Sequence, residues 1–187
     1  MKKVYILLTD TGTLFTRMIK MYTRKQYNHS SVSFELDFNK VYSFGRKIPH
    51  NPFIGGFVKE NIRGNLFQNA RCAIYSCKVT RDQLEIMENY IKGIEEHSHL
   101  YKYNLLGLFS FLLNKPIKRE KAFFCSQFVG TVLYKGGVAD FKKPLELVTP
   151  SDLENLENFH LEYEGELAKL VLHKQFSMVT NSPVSSF

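Results

Sequence analysis

Apolar and polar positions change rhythm several times along the chain, and each rhythm predicts an element. Val4-Tyr5-Ile6-Leu7-Leu8 is a continuous apolar run of strand length. It closes in Thr9-Asp10-Thr11-Gly12 and predicts a buried strand over residues 4–9. Leu14, Met18, Ile19 and Tyr22 recur at helical spacing and predict a helix over residues 13–25. From His29 the period becomes two. Val32, Phe34, Leu36 and Phe38 alternate with Ser31, Ser33, Glu35 and Asp37, the pattern of a half-buried strand. After a turn at Asp37-Phe38-Asn39-Lys40, Val41 to Phe44 returns as a second strand. Residues 45–70 contain Gly45, Pro49, Pro52, Gly55, Gly56 and Gly64 and predict a long irregular loop, a kind that often carries function.

Residues 71–79 predict another strand. Thr80 then caps a helix with Asp82 in its first turn and Leu84, Met87, Ile91 and Ile94 as its apolar stripe, ending near Glu96. Two further helices are predicted over residues 103–113 and 125–135, stopped by Asn114-Lys115-Pro116 and by Gly136-Gly137. Pro150-Ser151-Asp152 opens a short helix or turn. Residues 159–164 and 167–173 can form two closing strands around Gly165. The fold class is α+β, with strands and helices segregated. It reads as one domain over residues 1–176, followed by a loose Ser-containing tail over residues 177–187.

Composition narrows the classes. A chain of 187 residues with 44% apolar and 23% charged residues is neither disordered nor a bilayer span, and suffices for one buried core. The five-residue apolar run after Met1-Lys2-Lys3 is too short for a secretory leader, so a cytoplasmic protein with reduced thiols is expected. The net charge of +7 invites a nucleic-acid reading. The basic residues gather at Arg17-Lys20-Arg24-Lys25 and Lys115-Lys118-Arg119-Lys121, and the C-terminal end is acidic. There is no run of five like charges and no nucleic-acid signature, so a nucleic-acid partner is not expected. The basic stretches are either solvated faces or sites of attraction for an anionic substrate or lipid headgroups.

Three cysteines exclude a disulfide framework. Cys72 and Cys77, five apart on one predicted strand, point to opposite faces and pack as core residues. Neither they nor His97-Ser98-His99 have metal-site spacing, and no cofactor is implied. Cys125 differs, because it stands where a helix begins. Unpaired N–H groups and partial positive charge there lower a thiol's pKa and can stabilise an oxyanion. The alternative is a buried cysteine acting as a small apolar residue. His29, at the mouth of the alternating strand, is the candidate base, if the two segments meet within hydrogen-bond reach. A structural histidine at a strand end is the plain alternative.

Tyr27-Asn28-His29-Ser30-Ser31-Val32-Ser33, the return strand Val41-Tyr42-Ser43-Phe44-Gly45, and the distant Phe124-Cys125-Ser126-Gln127-Phe128-Val129 together resemble the NlpC-type papain-like cysteine hydrolases. The histidine precedes the cysteine, as in the circularly permuted branch that includes YiiX/YebB-like and lecithin retinol acyltransferase-like proteins. Tyr101-Lys102-Tyr103-Asn104 and Thr149-Pro150-Ser151-Asp152-Leu153 also look like that branch. The resemblance covers roughly residues 4–155. It implies an antiparallel sheet or partial barrel packed against the nucleophile helix, with Cys125 as nucleophile and His29 as base and then acid. An amide, ester or thioester would be cleaved through an acyl-enzyme, on a small-molecule, peptide or acyl substrate. The family often places a histidine on the strand after the catalytic one. Here Ser43 holds that place by strand parity and is the expected third catalytic residue. Glu60 can reach in from the loop instead, or face substrate. Tyr103 matches a family tyrosine that faces the substrate or oxyanion. A binding protein with lost catalysis, and a lipid acyltransferase or hydrolase, are the competing functions on the same scaffold.

Overall fold

A computed structural model describes residues 1–10, 25–48, 51–104 and 119–170. The apolar run near the N-terminus forms β1 (Lys2–Asp10), buried from Val4 through Thr9. A run apolar on both faces belongs in the middle of a sheet, and that is where β1 lies. It is flanked by β2 (His29–Ser33) and β5 (Arg71–Val79) in an antiparallel six-stranded sheet of order β4-β3-β2-β1-β5-β8. Val4, Ile6 and Leu8 face the larger apolar cluster, and Tyr5 and Leu7 face a smaller one on the other side. Cys72 and Cys77 fall in the smaller and the larger cluster respectively, the opposite faces that their spacing implied.

The larger cluster is roofed by α1 (Arg81–Glu96) and α2 (Cys125–Lys135). Thr80 starts α1 with a full capping box: its hydroxyl accepts from Gln83 N–H, and the Gln83 side chain accepts from Thr80 N–H. Leu84, Met87, Ile91 and Ile94 are its buried stripe. Phe128 of α2 packs against Phe44 with tilted rings, centroids 5.1 Å apart, and Phe57 and Phe123 complete the aromatic contact between helix and sheet. The fold is thus α+β, as expected. The short α3 (Pro150–Glu154), capped by Thr149, precedes the edge strand β8 (His160–Glu166).

Four expectations are corrected. The alternating strand stops at Ser33, because the Ser33 hydroxyl captures the Glu35 backbone N–H at 3.2 Å and starts a local turn. Leu36 ends up 60% exposed, while Phe38 turns inward at φ 54°. Second, much of the presumed loop is a hairpin of β3 (Val41–Ile48) and β4 (Asn51–Lys59). Its glycines permit close approach rather than turning the chain. A Cβ on Gly55 would stand 2.7 Å from Tyr103 Cβ, and one on Gly56 would stand 2.6 Å from the Tyr101 carbonyl oxygen. That leaves room for β6 (Lys102–Tyr103), which pairs in parallel with β7 (Ala122–Phe123). Third, residues 167–170 are helical and not a second closing strand. Leu167 and Leu170, three apart, both bury into the smaller cluster, which only helical spacing allows. Fourth, the helix expected to begin at Tyr103 does not begin there, since Tyr103 lies in β6. Residues 13–24 and 105–113 of the two expected helices, most of the first basic stretch, Lys115 and Lys118 of the second, and the C-terminal tail from residue 171 lie outside the described residues.

Candidate active site

β1 and β2 are paired along all of β2, from Thr9↔His29 to Tyr5↔Ser33. On its other side β2 pairs with β3 only at Val32↔Tyr42 and Ser33↔Val41. At His29-Ser30-Ser31 the two strands therefore part, and side chains replace the missing backbone ladder. The Ser43 hydroxyl of β3 donates to the Ser30 carbonyl at 2.8 Å. The helix start inserts Cys125 beside Ser30.

His29 is the centre of the cluster. Its Nε2 lies 2.6 Å from Glu60 Oε1, and both side chains are largely buried, at 15% and 8% exposure. The second carboxylate oxygen, Oε2, accepts from the Ser31 hydroxyl at 2.6 Å. Glu60 follows the last residue of β4, and its own N–H donates to the Val41 carbonyl at 2.8 Å. Ser43 stands farther from Nε2, at 3.4 Å, and its one proton goes to Ser30. The group that holds the ring is therefore Glu60, and Ser43 braces the parted strands.

Cys125 is the first residue of α2 and hydrogen-bonds to His29. With Nε2 committed to Glu60, Nδ1 is the nitrogen left for the sulfur. The N-cap residue, Phe124, is extended and offers no side-chain cap to the first turn, which contains no acidic residue. The positive end of the helix thus faces the thiol unopposed. Burial pushes the Cys125 thiol up, but the His29 charge and hydrogen bonds from His29 and Ser30 outweigh it, and the net direction is down. Burial opposes a charged His29, yet Glu60 and Cys125 together hold its pKa well above the usual imidazole value. Both shifts run in the direction that favours a thiolate–imidazolium pair. Burial pushes Cys72 up to about 12 and raises Cys77 as well, so neither resembles Cys125.

Tyr103 lies within electrostatic reach of both Cys125 and Arg46. Burial chiefly raises its phenol pKa, the Cys125 charge adds to this and Arg46 opposes it. It therefore stays a neutral hydroxyl donor. Arg46 pairs with Gly55 across the hairpin, so its side chain projects on the face where Tyr103 lies against Gly55. Arg46 and Ser31 escaped the sequence reading. The pair Ser30-Ser31 directly after the histidine was the available signal, since consecutive strand residues serve opposite faces.

No group of three or more His, Cys, Asp or Glu side chains among the described residues is arranged to hold a metal ion. Among the same residues no helix is long and apolar enough to cross a membrane. A groove of about 420 Å³ between the hairpin and α1 is lined by Tyr42, Lys59, Glu88, Lys92 and Glu95 among others, and holds none of the cluster residues. No family model, curated protein or solved structure matches the chain.

Proposed function

We propose that the protein is a cysteine hydrolase with a Cys125–His29–Glu60 triad, built on a permuted papain-like scaffold. The observation that carries this reading is the His29 ring held between a buried carboxylate at 2.6 Å and the thiol of a helix-start cysteine. In the reaction, the Cys125 thiolate attacks the carbonyl carbon of an amide, ester or thioester and forms a C–S bond. The oxyanion is met by first-turn N–H groups of α2, with the Tyr103 hydroxyl as a further donor. His29 gives its proton to the leaving group as the scissile bond breaks. It then takes a proton from water, which attacks the acyl-enzyme and restores the thiol. Glu60 fixes the ring's tautomer and stabilises its charge.

Support for this scaffold comes from the His-before-Cys order and from the antiparallel sheet packed on the helix that bears Cys125. The competing reading, a non-catalytic binding protein, is motivated by the lack of an evident third residue in the sequence; the Glu60 carboxylate 2.6 Å from His29 supports the catalytic reading instead. Iodoacetamide labelling against pH tests the proposal, followed by a panel of amide, ester and thioester substrates. Cys125 is expected to be labelled below the ordinary thiol range of about 8.5, ahead of Cys72 and Cys77. Labelling of Cys125 that follows an ordinary thiol titration, or substrate turnover that survives Cys125→Ala, overturns it.

A further inference from the structure

Resting on that triad, we infer that Ser31 is the positioning residue that makes Glu60 a competent partner for His29. A carboxylate has two oxygens, and a ring can be oriented only if the carboxylate itself cannot turn. Here one oxygen meets His29 Nε2 at 2.6 Å and the other accepts the Ser31 hydroxyl at 2.6 Å. Ser31 is 1% exposed and lies two residues after His29 on the same strand, so both side chains project on one face of β2. The short strand thus supplies the ring and the clamp for the group that holds it. Ser30, between them, projects on the other face, and its backbone lies beside Cys125.

Removing the hydroxyl leaves a buried anion with one bare oxygen, which costs more than the loss of an exposed contact. With its second oxygen released, the carboxylate is free to turn away from Nε2. A carboxylate that turns away no longer holds His29 charged, and the thiolate is lost with it. Among the described residues, the other titratable or charged groups facing the cluster are Cys125 from α2, Tyr103 from β6 and Arg46 from β3, and Ser31→Ala leaves all of them in place.

The test is the pH dependence of iodoacetamide labelling at Cys125 in the full chain, compared between wild type, Ser31→Ala and Ser31→Thr. In Ser31→Ala the acid limb is expected to move up by about one pH unit, roughly tenfold slower labelling on that limb. Ser31→Thr keeps the hydroxyl and is expected to restore the wild-type limb. If Ser31→Ala does not fold, Ser31→Cys, nearly equal in size and a weaker donor, replaces it, with a smaller shift of the same sign. An unmoved limb in the folded variant overturns the inference, as does an equal shift in Ser31→Thr. A wild-type Cys125 that titrates as an ordinary thiol instead overturns the triad itself, so the two failures are distinguishable.

Discussion

The side chains on the two sides of His29 differ sharply in what they can do for it. Glu60 accepts the ring N–H at 2.6 Å, while Ser43 spends its proton on a backbone carbonyl. Glu60→Gln keeps the shape and removes the charge. Glu60 raises the pKa of His29, and the His29 charge lowers that of Cys125, so the variant loses the ion pair at both ends. The acid limb of activity moves up and the alkaline limb moves down, with turnover falling roughly tenfold or more at about pH 7. Ser43→Ala is expected to leave both limbs in place and to lower stability by about 1 kcal/mol, the worth of one hydrogen bond. A pH–rate profile with a urea melt separates the two, and a shifted profile in Ser43→Ala contradicts the division of roles. Cys125 and His29 were legible in the sequence because each stands at the first residue of an element with a clear pattern. The choice between Ser43 and Glu60 was not. It depends on how far β3 and β4 run, and on a parting of strands that no local pattern announces.

At the scale of elements, the helix after Thr80 was legible to its last residue, since its cap, stripe and length all agree. One position within it remains suboptimal. A Cβ on Gly93 would meet nothing within 4 Å, so Gly93→Ala is expected to stabilise the protein by about 0.5–1 kcal/mol. Thermal melting checks this, and an unchanged or lower midpoint argues against the helix geometry around Gly93. The β3–β4 hairpin was the opposite case. Gly45, Gly55 and Gly56 carry the composition of a loop, and local propensity cannot distinguish a turn from a place where another strand must come close. Only the arrival of Tyr101–Tyr103, distant in sequence, decides it. The strand predicted to run from His29 through Phe38 failed for a different reason, a hydroxyl that competes with the ladder for one backbone N–H.

The molecule as a whole hangs on β1, whose neighbouring residues feed two cores. Ile6 belongs to the large cluster and Leu7 to the small one, and both are 0% exposed. Ile6→Ala and Leu7→Ala are each expected to cost about 2–5 kcal/mol, although their side chains lie on opposite sides of the sheet. Because the strand is common to both layers, each variant is expected to unfold in one transition in urea, with the midpoint lowered. A two-step melt for Leu7→Ala contradicts a shared unit. The pairing of β1 with β2 has a consequence beyond stability. Leu8↔Ser30 and Thr9↔His29 fix which side each residue of β2 serves. A slip of one residue would turn Ser30 toward the carboxylate and Ser31 toward the sulfur, and carry the imidazole away from both. A misregistered chain would be silent rather than sluggish. Under the proposed triad, the reactive-thiol titre of a preparation is therefore expected to count the molecules whose strands have found their register.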